Sequence, residues 1–282
     1  MDIRATTKIY GIFGHPVSHS LSPVMHNSAF SALGLDCVYV AFDVSPEEIG
    51  QAARAVRTLG ISGINITIPH KESIIPHLDE IAPDAELTGA VNTVKNDDGK
   101  LSGYNTDVGG FLRAVREELG VTPEGACVFL AGAGGAARAV MSAFCMNGAD
   151  KIYILNRTPD KALRLASDFG KRFGNIKIEI IPPGDPKAVA AGLSGADILV
   201  NSTSSGMDDR EGLELPLDQM KKSAAVYDLV YKPRETRLVK DALSHGLKAS
   251  GGLGMLLYQG ALSFEIWTGA EAPVEVMRKA LG

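Results

Sequence analysis

The segment from Ala126 to Ala137 constrains this chain more than any other. Ala126 to Ala131 is an unbroken apolar run of strand length, followed directly by Gly132-Ala133-Gly134-Gly135-Ala136-Ala137 and a helix-like stretch of small residues. The first glycine of such a G-x-G-x-x-A pattern makes a tight turn, the second lets backbone approach a pyrophosphate, and a small third residue lets helix and strand pack closely. A second strand-like run, Lys151 to Asn156, completes the context that dinucleotide binding needs. Gly132, Ala133, Gly134, Gly135 and Ala136 are therefore the expected phosphate cradle.

What stands after the second strand selects the cofactor. NAD sites place an acidic side chain there to accept from the ribose hydroxyls, whereas a 2′-phosphate needs cations and hydroxyls. This chain has Asn156-Arg157-Thr158, with Lys161 one turn on. The guanidinium of Arg157 can clamp a phosphate or stack on adenine, so NADP is the expected cofactor.

Strand-like and helix-like segments alternate along the chain, which points to an α/β protein with helices packed on parallel or mixed sheets. Two domains are expected: an N-terminal α/β substrate domain formed by residues 1–106 plus 249–282, and a Rossmann-like, doubly wound dinucleotide-binding domain over 107–248. In the first, Ser22-Pro23 reads as a helix N-cap with proline at the first helical position. Ile61 to Ile68 reads as a strand, Lys71 to Ile81 as a helix, and Asn96-Asp97-Asp98-Gly99 as the turn of a hairpin. Thr106-Asp107 reads as the start of a helix running to Leu119.

Several polar residues of the first half suit a substrate cleft. Strand alternation over residues 63–69 sends Ile64, Ile66 and Ile68 to one face and Asn65 and Thr67 to the other, a polar face expected to line a cleft with Lys71 at its lip. Ser18 and Ser20, two apart in an extended loop, would present both hydroxyls to one side and could bind a carboxylate. Asn92 and Asp107 add an amide and a carboxylate near element ends. His15, His19 and His26 read as loop and helix-surface histidines, and no metal site is expected.

Composition removes other classes. A chain of 282 residues with 45% hydrophobic and 22% charged content is globular, and its formal net charge of -5 offers no footprint for nucleic acid. Three cysteines without a CxxC pair point to neither a disulfide scaffold nor zinc, so a cytoplasmic, non-membrane protein is expected.

Together these segments resemble the shikimate dehydrogenase family. The resemblance spans nearly the whole chain: residues 14–23 (GHPVSHSLSP), 65–71 (NITIPHK), 89–93 (GAVNT), 103–107 (GYNTD), the glycine loop, 156–158 (NRT), 201–206 (NSTSSG), 228–233 (DLVYKP) and 252–259. It implies NADP-linked reduction of 3-dehydroshikimate to shikimate, a step towards chorismate and aromatic amino acids. By the same resemblance Ser18, Ser20 and Tyr231 hold the substrate carboxylate, and Asn65, Thr67, Asn92, Asp107 and Gln259 its ring hydroxyls. Lys71 and Asp107 are the implied catalytic pair, while Thr203, Gly252 and Met255 belong to the cofactor site. Two positions depart from the pattern: Gly251 replaces a frequent acidic residue, and Lys161 a frequent arginine that helps select the 2′-phosphate.

During reduction the carbonyl oxygen gains negative charge, so an ammonium at Lys71 can polarise it and give up the proton, with Asp107 as its orienting partner. The alternatives are a quinate/shikimate dehydrogenase preferring NAD, a non-catalytic nucleotide sensor of the same fold, and a methylene-tetrahydrofolate dehydrogenase. The first should carry an acid near Asn156, and the second should lack the Lys71 and Asp107 pair. The paired serines with Asn65 and Thr67 suit a small polyhydroxy acid better than a folate. The expected partner is the small substrate alone, for a monomer or homodimer.

Overall fold

The computed structural model describes residues 3–207 and 211–282. Its elements begin with β1 (Lys8–Gly14), α1 (Ser22–Ala32), β2 (Cys37–Asp43), α2 (Ile49–Thr58), β3 (Gly63–Ile66), β4 (Glu80–Ile81), α3 (Pro83–Thr88), β5 (Thr93–Asp97) and β6 (Lys100–Tyr104). Then come α4 (Thr106–Ala114), which continues as a π turn over Val115–Leu119, β7 (Cys127–Ala131), α5 (Gly135–Met146), β8 (Lys151–Leu155), α6 (Pro159–Arg172) and β9 (Lys177–Ile181). The chain ends with α7 (Pro186–Gly195), β10 (Ile198–Asn201), β11 (Ala225–Asp228), α8 (Arg237–Ser244), β12 (Lys248–Gly251), α9 (Leu253–Thr268) and α10 (Val274–Leu281). Two compact units result: residues 1–110 with 257–282, and residues 111–256. Among the described residues no helix is long and apolar enough to cross a membrane.

The first unit is built on a six-stranded sheet in the order β2-β1-β3-β5-β6-β4. β1 runs parallel to β2 and β3, whereas β5 is antiparallel to β3 and β6. Asp97 pairs with Lys100 across a two-residue turn in which Asp98 and Gly99 both take positive φ, 50° and 92°, the turn that matches strand twist in a hairpin. Ile64, Ile66, Val91, Val94 and Leu101 from three of these strands and the β5 approach pack into one apolar core with Val56 of α2.

Several local expectations for this unit need correction. No helix covers 71–81; Pro76 has no N–H to donate, and only a 3-10 turn at Ile75–His77 forms before β4. β3 stops at Ile66, so Ile68 leaves the face of Ile64 and Ile66 and is 73% exposed. Ser22 is the first helical residue rather than the cap, a position taken by Leu21 without a side-chain bond. The Ser20 N–H closes a turn onto Val17 O (3.0 Å), so Ser18 and Ser20 lack extended-chain alternation. His26 is fully buried, not on the helix surface.

The second unit holds an all-parallel sheet ordered β12-β11-β10-β7-β8-β9. β10 and β11 are buried along their whole length and β7 along all but its first residue, as a sheet covered on both faces requires. The chain moves outward from β7 to β9, then returns to β10 on the other side of β7. The loops after β7 and β10 therefore diverge at the carboxyl ends of the strands, the crevice where such sheets bind ligands. β12 goes unforeseen because Lys-Ala-Ser-Gly has neither alternation nor β-branched residues.

Candidate active site

In the first unit the chemistry gathers where β5, β6 and α4 meet α9. Asn105, just before α4, accepts the Asp107 N–H on Oδ1 at 3.1 Å and so caps the helix, holding Asp107 in its first turn. The Asp107 carboxylate, 6% exposed, is engaged on both oxygens. Lys71 Nζ donates to Oδ2 at 2.5 Å and Asn92 Nδ2 to Oδ1 at 2.8 Å. Lys71 is anchored through its own carbonyl, which accepts from Val91 N at 2.8 Å, and its side chain keeps 22% of its surface exposed. An ammonium has three N–H donors, so Lys71 retains protons to offer beyond the one given to Asp107.

A buried hydrogen-bond network extends from this pair. Asn92 Oδ1 accepts from Thr106 N (2.7 Å) and Thr93 Oγ1 (3.0 Å), and its amide lies 3.3 Å from Gln259 Oε1. Asn65 Nδ2 reaches Asn92 O and Thr93 Oγ1, both at 3.1 Å, and Ser263 Oγ at 3.0 Å, while Asn65 Oδ1 accepts from the Tyr39 hydroxyl at 2.7 Å. The polar face of β3 at Asn65 is thus buried and bonded, and Thr67 beyond the strand end is half-buried. Close approach of α4 and α9 permits this, for a Cβ at Gly110 would stand 2.6 Å from Gln259 N. Sequence reading missed Tyr39, Thr93, Thr106 and Ser263; the spacing of four between Gln259 and Ser263 on α9 was the available signal for the last. Ser18 is exposed and Ser20 half-buried, in the turn before α1.

In the second unit the glycine loop takes the form its sequence demands. Gly132 has φ +110°, and a Cβ there would run into Ser202 Oγ. Gly134 and Gly135 have open space where side chains would be, and no side-chain bond caps α5, which leaves its first N–H groups for an anion. Beyond β8 lies a cavity of about 780 Å³ lined by Asn156, Arg157, Thr158 and Lys161, with Thr203 and the stretch 213–216 also in its wall. Among the described residues neither Arg157 nor Lys161 forms an ion pair, and both line the cavity. Thr203 is pinned by two bonds to Asn201 Oδ1, from its N–H (3.0 Å) and its hydroxyl (2.7 Å). Tyr231 is half-buried in the loop after β11, Gly252 follows β12, and Met255 N donates to the Tyr227 hydroxyl at 3.0 Å.

Comparison with known proteins bears on what this geometry serves. The family model for the shikimate dehydrogenase substrate binding domain matches residues 12–94, that for shikimate / quinate 5-dehydrogenase residues 115–234, and that for the shikimate 5′-dehydrogenase C-terminal domain residues 252–281. The chain is 51% identical over 284 residues to the NADP(+) shikimate dehydrogenase of Methanopyrus kandleri, covering 100% of this chain and 97% of that protein. It is similar to a shikimate dehydrogenase crystallised with NADP+, at TM-score 0.90 and 43% identity over 99% of this chain and 96% of that one. The Thermus thermophilus shikimate 5-dehydrogenase in complex with NADP(H) and shikimate superposes at TM-score 0.86, with 38% identity over 97% of this chain and 98% of that one.

Proposed function

The chain belongs to the shikimate dehydrogenase family, and from that premise we propose that it catalyses the reversible NADPH-dependent reduction of 3-dehydroshikimate to shikimate. The observation that carries the reading is the arrangement of Lys71 on Asp107, with Asn92 donating to the same carboxylate. Both oxygens of Asp107 are occupied by donors, so its part is to orient Lys71, and the proton that the reaction requires is carried by the ammonium.

NADPH supplies the hydride when bound. The residues suited to hold it lie in the second unit: Gly132 to Ala136 for the pyrophosphate, Asn156, Arg157, Thr158 and Lys161 for the 2′-phosphate and adenosine, and Thr203, Gly252 and Met255 for the remainder. A helix N-terminus without a side-chain cap and two cations with no ion pair among the described residues fit this cofactor's charge. In the first unit Lys71 polarises the substrate carbonyl and donates its proton as the oxygen becomes an alkoxide. Ser18 and Ser20 are assigned the substrate carboxylate, and the family resemblance gives Tyr231 the same role. Asn65, Thr67, Asn92, Asp107 and Gln259 are assigned its ring hydroxyls, and Asn65 Oδ1 keeps a lone pair beyond the one used by Tyr39. Free Cys37, Cys127 and Cys145 fit a reducing compartment, and we place the enzyme in the cytoplasm.

The test is spectrophotometric: shikimate oxidation is followed with NADP and with NAD, and quinate is run in parallel. Turnover of shikimate with NADP is expected, faster than with NAD or with quinate. No turnover of shikimate with either cofactor overturns the reading.

A further inference from the structure

Asp228, the last residue of β11, is fully buried, and among the described residues no cation forms an ion pair with it. Three neutral donors serve it instead. Asn201 Nδ2 (2.8 Å) and Val230 N (3.1 Å) donate to Oδ1, and the Thr236 hydroxyl (2.6 Å) donates to Oδ2. A carboxylate only accepts, so the Thr236 proton points at Asp228, while Thr236 Oγ1 accepts from Val239 N at 3.3 Å. Burial pushes this carboxyl up against the pull of its three donors. A buried carboxylate without a cation costs stability that an apolar residue would not, so its presence calls for a use.

The use lies in what the carboxylate joins. Asn201 stands beside Asp228 in register on β10, and because Asp228 takes the Asn201 amide N–H, Asn201 Oδ1 is left to accept both bonds from Thr203. A flipped amide would place two sets of donors against each other. On the other side, the bond from Val230 N sets the peptides that follow β11. Val230 O accepts from Gly252 N at 3.1 Å, and Leu229 O fills the place of a Cβ on Gly252. Thr203 and Gly252 come from loops far apart in sequence, yet each is one residue removed from Asp228.

We propose that Asp228 is a positioning residue that holds two parts of the cofactor site in register for NADP: Thr203, through Asn201, in the wall of the Arg157 and Lys161 cavity, and Gly252, through Val230, outside that cavity. The inference rests on the functional reading above, in which the second unit holds the cofactor. Asp228 touches neither cofactor nor substrate in this scheme.

The experiment compares the binding of NADP+ with that of adenosine 2′,5′-bisphosphate, a fragment suited to the cavity that Arg157 and Lys161 share with Thr203, without the part of the cofactor assigned to Gly252. Both are titrated calorimetrically into wild type, Asp228→Ala, Asp228→Asn and Asn201→Ala, with thermal unfolding recorded for each. Asp228→Ala is expected to weaken NADP+ about tenfold, the loss of one to two net hydrogen bonds, and the fragment, which feels Thr203 but not Gly252, by about threefold at most. Asp228→Asn keeps an acceptor for Asn201 and Val230 and should restore most of the affinity. Asn201→Ala frees Thr203 alone and should weaken NADP+ and the fragment alike, by about threefold. Unchanged NADP+ binding in Asp228→Ala, or equal weakening of NADP+ and fragment, overturns the proposal. If Asp228→Ala does not fold, Asn201→Ala decides, and unchanged NADP+ binding there overturns the proposal. A wild-type protein that binds no NADP+ would instead sink the functional reading itself.

Discussion

The Lys71 ammonium lies 2.5 Å from Oδ2 of Asp107, a carboxylate whose other oxygen receives Asn92 Nδ2 at 2.8 Å. A buried carboxylate held by a donor on each oxygen fixes the lysine in one place and still has a lone pair on each oxygen for a substrate hydroxyl. The division of labour follows: Lys71 exchanges the proton, and Asp107 and Asn92 keep it aimed.

Lys71→Ala therefore removes the proton donor but leaves the hydroxyl-binding groups in place. Its kcat is expected to fall by about 10²-fold to 10⁴-fold with KM for shikimate changed far less, as measured by steady-state kinetics at saturating NADP. A raised KM with kcat intact would reduce Lys71 to a binding group. In the oxidising direction Lys71 takes up the proton that the substrate hydroxyl releases, so Lys71→Ala should slow oxidation and reduction alike.

Arg157 and Lys161 in the wall of the cavity of about 780 Å³ form no ion pair among the described residues, and they give the cofactor preference a direct test. Loss of a charge-assisted contact to the 2′-phosphate costs about 1.4 kcal/mol or more, so Arg157→Ala should raise KM for NADP about tenfold and leave KM for NAD nearly unchanged. The NADP effect should shrink at high salt, since both groups lie in reach of solvent. Equal effects on both cofactors would assign Arg157 to the adenine instead.

Much of the second unit was legible because its signals are local. A strand, three glycines and a small-residue helix occupy consecutive positions, and the parallel order follows from strand and helix alternation. The hairpin at Asp98-Gly99 was legible for the same reason. What escaped depends on distant residues or on single breakers. Pro76 interrupts a helical pattern over 71–81, and β12 is a strand only because β11 offers it an edge. Ser263 joins Asn65 across 198 positions and Tyr39 joins it across 26, distances at which no spacing rule operates. His26 looks like a surface histidine until Tyr39, stacked on it at 4.5 Å, and Trp267, at 5.4 Å, are brought over it.

Gly252 offers a stability test that is separate from chemistry. A methyl group there would collide with the Leu229 carbonyl, a backbone atom that cannot swing away. Gly252→Ala should cost about 2 kcal/mol or more by overpacking, a fall of about 5 °C in Tm by calorimetry. Gly134→Ala, where a Cβ meets open space, should leave Tm within about 1 °C while obstructing the phosphates. The reverse ranking would contradict the packing described.

His26 sets a pH dependence of stability. Neither of its ring nitrogens has a hydrogen-bond partner, and burial among aromatic rings pulls it down to about 3 from its usual 6.5. Between those values the unfolded histidine binds a proton that the folded one refuses. Its contribution is thus fully present above pH 6.5 and is lost as pH falls towards 3, at about 1.4 kcal/mol per pH unit. Urea unfolding at pH 7.5 and pH 5.0 measures this directly. His26→Phe keeps the aromatic packing and removes the titration, so its loss of stability across that interval should be smaller than wild type's by about 2 kcal/mol. Equal losses would show that His26 takes up its proton in the folded protein and is not sealed from water.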